Sequence, residues 1–211
     1  SGTVYLSRLT LDLSHPSTQR ALRDCNDMHR NLMRALPKRD SDALRAEESL
    51  LYRLLTVQGR PSLYVTSRSL PDWSLVAGVD LWQGTAPVSF DNLHEKLSLG
   101  QKLRFNLITS PTKKERRESK LSARVFLRDE NERLDWLKNK ADKHGFSILR
   151  VVEKEQRHIH GIRQGAQIDY TGIVFDGELA IMDIDAFWIA YTNGIGPGKA
   201  YGLGMLMIGR I

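Results

Sequence analysis

Eleven residues near the C-terminus, Gly194 to Gly204, contain five glycines and constrain how the chain can fold at this end. Glycine reaches backbone conformations that other residues avoid, and it allows a ligand or another segment to approach the backbone closely. Lys199 lies in the middle of the stretch, and exposed backbone amides beside a lysine bind anions. Two interpretations stay open, a tight turn into a last strand and a phosphate-binding loop formed by Gly194, Gly196, Gly198, Lys199, Gly202 and Gly204.

The glycine-rich stretch matches neither of the common nucleotide-binding motifs. A Walker loop needs Ser or Thr after its lysine, but Ala200 follows Lys199. A dinucleotide-binding motif leads into a helix, whereas the apolar run Met205 to Ile211 predicts a strand. A nucleotide-dependent enzyme is therefore disfavoured.

The composition indicates a globular chain with a polyanionic partner. The 211 residues suffice for one large or two small domains, and 41% of them are hydrophobic. Lys and Arg outnumber Asp and Glu by 31 to 25, and the resulting net charge of +6 favours a partner such as nucleic acid. The single cysteine, Cys25, excludes an internal disulfide and fits a reducing cytoplasm. No apolar run is long enough to span a membrane, so we expect no membrane contact.

The sequence offers few motifs for catalysis by a metal or by a serine nucleophile. It contains no His-Glu zinc motif, no pair of cysteines and no Gly-x-Ser-x-Gly motif. His158 and His160 would share one face of a strand, but no third metal ligand accompanies them, and a phosphate contact is the better interpretation. We therefore expect neither a metal nor a cofactor.

The first half of the chain shows the pattern of a strand, a helix and two further strands. Residues Tyr5 to Leu13 alternate between apolar and polar, which predicts a half-buried strand. The apolar spacing predicts a helix from about Ser17 to Leu36, ended by Pro37, whose apolar stripe is Leu22, Cys25, Met28, Leu32 and Ala35 or Leu36. Strands are predicted at Leu51 to Val57 and at Ser62 to Ser67, around a turn.

The second half predicts strands and helices in the order β-α-β-β-α-β. An alternating run from Leu97 to Leu107 predicts the first strand, and a helix is predicted from Asp129 to His144. The remaining predicted elements are strands at Phe146 to Val152, Glu153 to Gly165 and Ile168 to Phe175, a helix at Asp183 to Tyr191 and a strand at Met205 to Ile211. This order is that of the ferredoxin-like fold. We predict an α+β protein with two tandem ferredoxin-like (RNA-recognition-motif-like) domains, residues 1–92 and 93–211.

Basic residues form clusters along the predicted strands and loops. Lys102 and Arg104 share the polar face of one strand. The stretch 112–120 carries five positive and two negative charges and is by default a solvated, flexible loop. Combined with the strand residues, it becomes a candidate for binding an RNA backbone. The residues assigned to this role are Lys102, Arg104, Lys113, Lys114, Arg116, Arg117, Arg157 and Arg163.

His29 is the candidate for proton transfer. It lies on the predicted helix at the edge of the apolar stripe, between Met28 and Arg30. On helical position alone, a partly buried core histidine is the simpler interpretation. The alternative is a general acid or base, because histidine titrates near neutral pH.

Four segments, taken in chain order, carry a resemblance to a known family. They are Tyr5-Leu6-Ser7-Arg8-Leu9, Met28-His29-Arg30, Leu103-Arg104-Phe105-Asn106 and the closing GIGPGKAYGLGMLMI. The chain resembles the CasE family, the repeat-processing endoribonucleases of type I-E CRISPR systems. The resemblance spans nearly the whole chain and implies two ferredoxin-like domains with the glycine-rich stretch near the nucleic acid. It implies metal-free cleavage of CRISPR precursor RNA at the base of the repeat hairpin, with the mature crRNA hairpin retained among the other Cascade subunits.

The resemblance also implies roles for individual residues. His29 matches the family's catalytic histidine, and Arg34 stands where the family has a lysine suited to binding the scissile phosphate. Arg157 and Arg163 fall where the family has a basic hairpin that enters the RNA major groove. Asn26 replaces a tyrosine that the family often has three residues before the histidine.

The implied reaction uses the substrate's own 2′-hydroxyl as the nucleophile. The hydroxyl attacks the adjacent phosphorus and expels the 5′-oxygen, which leaves a 2′,3′-cyclic phosphate. The enzyme must align this attack, move protons and stabilise the added charge. A second hypothesis stays open because the amide of Asn26 transfers no proton: a non-catalytic RNA-binding subunit of a ribonucleoprotein complex.

Overall fold

The computed structural model describes residues 2–38, 50–82, 84–116 and 122–211. Its first sheet is antiparallel and comprises β1 (Thr3–Leu11), β2 (Leu50–Val57), β3 (Arg60–Ser67), β4 (Val79–Leu81) and β5 (Ala86–Ser89). The strand order is β2-β3-β1-β4, and β5 pairs with the N-terminal half of β1. Leu63 on β3 lies at the centre, opposite Leu9 on one side and Leu54 on the other.

Two helices, α1 (Pro16–Arg23) and α2 (Cys25–Met33), replace the single predicted helix. The break occurs at Asp24, whose backbone is extended, with φ −141° and ψ 112°. Its carboxylate accepts hydrogen bonds from the amides of Asn26 at 2.8 Å and Asp27 at 3.2 Å. An aspartate in this position caps a new helix start, so the chain leaves α1 and begins α2 without a longer loop.

The first hydrophobic core lies between this sheet and the two helices. Leu9, Leu63 and Val65 of the sheet are fully buried against Met28 and Leu32 of α2. The apolar stripe predicted for the helical region is therefore confirmed on α2. It fixes which side of α2 faces inward and leaves the neighbouring His29 at the edge of the core.

The second sheet belongs to the C-terminal half of the chain. The elements of this half are, in chain order, α3 (Phe90–Lys96), β6 (Lys102–Thr109), β7 (Thr112–Arg116), β8 (Ser122–Phe126), α4 (Glu130–Lys143), β9 (Phe146–Arg163), β10 (Ala166–Ile181), α5 (Ile184–Asn193) and β11 (Leu206–Arg210). The sheet order is β11-β6-β10-β9, and all its pairings are antiparallel. No helix in the described part of the chain is long and apolar enough to cross a membrane.

Both sheets have the same topology. Numbered within each sheet, and with β5 left out of the first, the strands lie in the order 4-1-3-2, which is that of the ferredoxin-like fold. In the first half a 3₁₀ turn, Trp73–Leu75, connects the third strand to the fourth, where the second half has α5. The predicted pair of ferredoxin-like domains and the β-α-β-β-α-β order of the second half are confirmed.

The second hydrophobic core lies between the second sheet and helices α4 and α5. Phe146, Phe175 and Phe187 are among its fully buried side chains. Helix α3 spans the predicted boundary at residues 92 and 93 and places Leu93 and Leu97 in this second core. The exact boundary between the domains stays a prediction.

Two predicted strands have different ends in the structure. The strand predicted to reach Leu13 ends at Leu11, because the Asp12 carboxylate accepts a 2.9 Å hydrogen bond from the Ser14 amide and the chain turns. The strand predicted from Leu97 begins only at Lys102, after helix α3. In both cases the alternation of apolar residues is longer than the paired strand: it extends after Leu11 in β1 and begins before Lys102 in β6.

Two hairpins project from the second domain. Of the stretch 112–120, predicted as a flexible loop, residues 112–116 instead form strand β7, in which Thr112 pairs with Phe126 of β8, and residues 117–120 lie outside the described residues. Strands β9 and β10 are continuous over 18 and 16 residues and form a long hairpin that turns at Gln164 and Gly165. The separate strands predicted within residues 146–175 are thus two long strands, which extend well beyond the sheet.

Candidate active site

The tip of the β9–β10 hairpin is fastened to the start of helix α2. The side-chain amide of Asn26 donates to the carbonyl of Ile162 at 3.0 Å, and the Ile162 amide donates to the Asp24 carboxylate at 3.2 Å. A Cβ at Gly161 would lie 3.0 Å from the Asn26 nitrogen. The second domain therefore positions the helix that carries His29.

The glycine-rich stretch packs within the protein, between the domains. A Cβ at Gly202, where φ is 82°, would lie 2.7 Å from the ring of Tyr52. A Cβ at Gly196, where φ is 89°, would collide with the Thr109 hydroxyl and lie 3.0 Å from the Trp136 ring. These contacts favour the tight-turn interpretation at these two positions. The role in RNA binding assigned to Gly194, Gly196, Gly198, Lys199, Gly202 and Gly204 remains a prediction.

This stretch presents a 3₁₀ turn, Lys199–Tyr201, to helix α2. The rings of His29 and Tyr201 are in edge-to-face contact, with centroids 6.1 Å apart and planes 71° apart. Tyr201 also lies against Tyr170 of β10, at a centroid distance of 6.2 Å. The ring of His29, on helix α2 of the first domain, thus packs against a turn of the second domain.

The environment of His29 favours its neutral imidazole. Burial lowers the pKa of His29 below its ordinary value of 6.5, and the positive charge of Arg163 lowers the pKa further, while the carbonyl of Ala200 acts in the opposite direction. The Nδ1 atom is buried and has no hydrogen-bond partner. A neutral imidazole near pH 7 accepts a proton, so His29 is suited to act as a general base.

A cavity of about 420 Å³ lies beside His29, between the two domains. Its wall includes the end of β3, with Thr66, Ser67 and Arg68, and Lys199 of the 3₁₀ turn. None of the described residues around this cavity carries a carboxylate. The space next to the imidazole is therefore suited to an anion.

A larger groove of about 850 Å³ separates the β7–β8 hairpin from the β9–β10 hairpin. Arg124, His158 and Arg163 line it, together with the aromatic rings of Tyr170 and Tyr201. Basic and aromatic side chains in one groove suit a nucleic acid, because they contact phosphates and stack on bases.

Arg163 and Arg157 have different surroundings although both are on β9. Arg163 is exposed at the hairpin tip, and its charge is close enough to His29 to lower the histidine's pKa. Arg157 donates two hydrogen bonds to the Glu155 carboxylate, at 2.9 and 3.1 Å, and one to the Leu54 carbonyl at 3.2 Å. Much of the hydrogen-bonding capacity of Arg157 is thus used inside the protein.

Lys102 and Arg104 lie away from the groove. Both are exposed at the N-terminal end of β6, whereas Thr109 at the other end contacts the glycine-rich stretch. The separation from Thr109 along the strand is roughly 24 Å for Lys102 and roughly 17 Å for Arg104. Arg104 is opposite Glu178, which forms a 3.2 Å ion pair with Arg150. The structure does not bring these two basic residues together with Arg163.

The other basic residues assigned from the sequence lie on the first hairpin and on α2. Lys113 and Lys114 are exposed on β7, Arg116 ends that strand, and Arg117 lies outside the described residues. Arg34 is exposed at the C-terminal cap of α2, roughly 140° around the helix from His29. Arg34 does not line the cavity beside His29.

The structure adds four residues that sequence reasoning missed. Tyr201 contacts both His29 and Tyr170, and both tyrosines line the groove together with Arg124 of β8. Arg68 joins the cavity beside His29 from the end of β3. Only Tyr201 had a signal in the sequence, because it lies inside the glycine-rich stretch; the others come from segments far apart in the chain.

A family model described as CRISPR associated protein matches residues 4–210. The chain belongs to the CRISPR-associated protein family. This match covers nearly the whole chain, as did the resemblance inferred from the four sequence segments, and it confirms that resemblance.

Three comparisons with named proteins extend over nearly the full length of each. The CRISPR-associated endoribonuclease Cse3 of Thermus thermophilus is 29% identical over 220 residues, which cover 97% of this chain and 99% of the relative. A structure of Thermus thermophilus Cse3 bound to an RNA representing a pre-cleavage complex is 28% identical, with a TM-score of 0.82 over 98% and 99% of the two chains. Cas6e from Escherichia coli K-12, at 22% identity and a TM-score of 0.74 over 98% and 100% of the chains, supports the same fold.

Proposed function

We propose that this family member is a metal-independent endoribonuclease that cleaves CRISPR precursor RNA at the base of the repeat hairpin. The observation that carries the proposal is the position of His29, which lines a cavity between the two domains and contacts Tyr201 of the second domain, and whose pKa is lowered by burial. The full-length similarity to an endoribonuclease of the same family supports it.

The proposed reaction begins with proton removal by His29. The neutral imidazole takes the proton from the 2′-hydroxyl, and the 2′-oxygen attacks the adjacent phosphorus. The bond from phosphorus to the 5′-oxygen breaks and the 5′-oxygen takes up a proton from water, which yields a 2′,3′-cyclic phosphate and a 5′-hydroxyl. One positioned base accelerates such a step about 10²- to 10⁴-fold. Cleavage at this modest scale suits an enzyme that processes one transcript and keeps the product.

The proposed RNA site centres on the groove between the two hairpins. Arg163 and Arg124 contact phosphates there, and Tyr170 and Tyr201 offer rings for stacking. Lys113 and Lys114 extend the positive surface along β7. For Lys102, Arg104, Arg116, Arg117, Arg157 and the glycine-rich stretch, a direct RNA contact remains a proposal, as does the binding of the scissile phosphate by Arg34.

The proposed partners are the precursor RNA, the mature crRNA hairpin and the other Cascade subunits. The product should stay bound, because the phosphate contacts that supply the affinity are still present after the strand is cut. We propose a cytoplasmic location, where transcripts of this kind are processed and where the buried thiol of Cys25 stays reduced.

A non-catalytic RNA-binding subunit is the second candidate function. The observation that favours it is Asn26, which holds the hairpin through its amide and has no acidic proton to give. Incubation with a CRISPR repeat hairpin in EDTA separates the two functions. Cleavage that leaves a 2′,3′-cyclic phosphate, and that stops when the 2′-hydroxyl at the cut is removed, supports the enzyme; tight binding of intact RNA without cleavage supports the binding subunit.

A further inference from the structure

Two of the residues that line the cavity beside His29 have a buried polar atom without a hydrogen-bond partner. Thr66 is only 4% exposed, and its hydroxyl oxygen is buried without a hydrogen-bond partner. His29 lines the same cavity, and its Nδ1 atom is also buried without a hydrogen-bond partner. Buried polar atoms without partners are uncommon and costly, so two of them around one cavity indicate a polar ligand.

The charge around the cavity specifies that ligand as an anion. Arg68 donates a 2.5 Å hydrogen bond to the side-chain oxygen of Asn193, which holds the guanidinium but does not neutralise it. An arginine has five N–H donors, so others remain for a ligand. Lys199 adds a second positive charge from the 3₁₀ turn, and no carboxylate is present among the described residues that line the space.

We propose that this cavity binds the phosphodiester that is being cleaved, with Arg68 as its principal cation. Lys199 supplies the second charge and the Thr66 hydroxyl donates a hydrogen bond. This inference rests on the proposed function, because it takes His29 as the base that acts on the neighbouring 2′-hydroxyl. A fixed guanidinium at this position stabilises the charge that develops on the phosphorane oxygens.

The proposal moves the phosphate-binding role from Arg34 to Arg68. Arg34 is exposed on a different side of α2 from His29, whereas Arg68 and His29 line one cavity. Arg68 is 39 residues away in sequence and reaches the site only because β3 ends there.

The proposal is tested by measuring the RNA affinity of wild type and Arg68→Gln for two RNAs, one with and one without the charge on the phosphate at the cut. The RNA is a repeat hairpin without the 2′-hydroxyl at the cut, made either with the native phosphate or with a neutral methylphosphonate at that linkage. The wild type should bind the methylphosphonate RNA about 10- to 100-fold more weakly, as expected for the loss of a charge-assisted hydrogen bond. Arg68→Gln should lose most of this difference and keep only the part that Lys199 and Thr66 supply.

The controls separate this assignment from a general loss of charge or of folding. Arg60→Gln removes an exposed arginine from the start of the same strand and should keep the full response. Arg68→Lys keeps the charge and should keep part of the response. A full response in Arg68→Gln overturns the proposal, and so does a wild type that binds the two RNAs with equal affinity.

A separate cleavage assay with unmodified RNA distinguishes a failure of the proposed function from a failure of the Arg68 assignment. Absence of cleavage by the wild type contradicts the proposed function, whatever the affinity measurements show. Cleavage by the wild type, combined with an unchanged phosphate response in Arg68→Gln, contradicts only the assignment of Arg68.

Discussion

The side-chain amide of Asn26 donates a 3.0 Å hydrogen bond to the backbone carbonyl of Ile162, 136 residues later in the chain. Asp24 completes the contact by accepting the Ile162 amide. The bond joins the helix of the proposed base to the hairpin of the proposed RNA site. Asn26 therefore has a structural task in the position where the family often has a tyrosine.

The first prediction concerns this bond. Asn26→Ala should lower the free energy of unfolding by about 0.5–1.5 kcal/mol, because it removes a partly buried hydrogen bond to the Ile162 carbonyl. Urea denaturation measures the effect, with exposed Arg30→Ala on the same helix as the control, which should change stability by less than about 0.5 kcal/mol. Equal stability of Asn26→Ala and wild type would show that the contact does not fasten the hairpin.

The second prediction concerns the pH dependence of cleavage. The reactive form of His29 is neutral and Arg163 lowers its pKa, so cleavage should rise with pH through the pKa of His29 and then level off. Arg163→Gln removes the neighbouring positive charge and should raise that pKa, which moves the rising limb to higher pH. Single-turnover rates at saturating RNA between about pH 5 and pH 8 measure the limb. A limb that stays in place, or moves to lower pH, contradicts the assignment.

The third prediction concerns Gly202, where a side chain has no room. A Cβ there would lie 2.7 Å from the Tyr52 ring, and φ is 82°, a conformation that a β-branched residue avoids. Gly202→Val should therefore lower the melting temperature and, through the displaced 3₁₀ turn, weaken RNA binding. Gly209→Val is the matched control, since nothing lies within 4 Å of a Cβ at Gly209. Equal melting temperatures for the two variants would contradict the packing of the stretch.

The fourth prediction ranks the basic residues by their place in the structure. RNA affinity should fall steeply with salt, and Arg163→Gln should reduce the slope of log affinity against log salt by about 1. Arg104→Gln should change the slope less, because Arg104 is remote from the groove and opposite Glu178. Titrations at several salt concentrations give the slopes. A larger change for Arg104→Gln than for Arg163→Gln would place the RNA on the other end of the sheet.

The fold was predictable because its signals are local. Alternating apolar residues such as Leu103, Phe105 and Leu107 mark a strand with one buried face, and Asp129 caps the helix that was predicted to begin there. The break at Asp24 was not predictable in the same way. Its carboxylate also receives the Ile162 amide, a partner that only the tertiary structure supplies.

The site was predictable only in part, for the same reason. His29 and the glycine-rich stretch could be found from the sequence, because each has a local pattern and both belong to segments that resemble the family. Thr66 and Arg68 carry no such pattern and reach His29 through the folding of the first sheet. Lys102 and Arg104 share a polar face with each other, but sharing a face does not determine which end of a strand meets the RNA.

The central claim, that His29 performs the chemistry, is tested most directly by single-turnover cleavage of a CRISPR repeat hairpin in EDTA by wild type and His29→Ala. The account predicts that His29→Ala cleaves about 10²- to 10⁴-fold more slowly, a barrier increase of roughly 3–5 kcal/mol. Affinity for the hairpin without the 2′-hydroxyl at the cut should stay nearly unchanged, because phosphate contacts supply it. Wild-type rates in a folded His29→Ala protein would contradict the claim and place the chemistry at other residues.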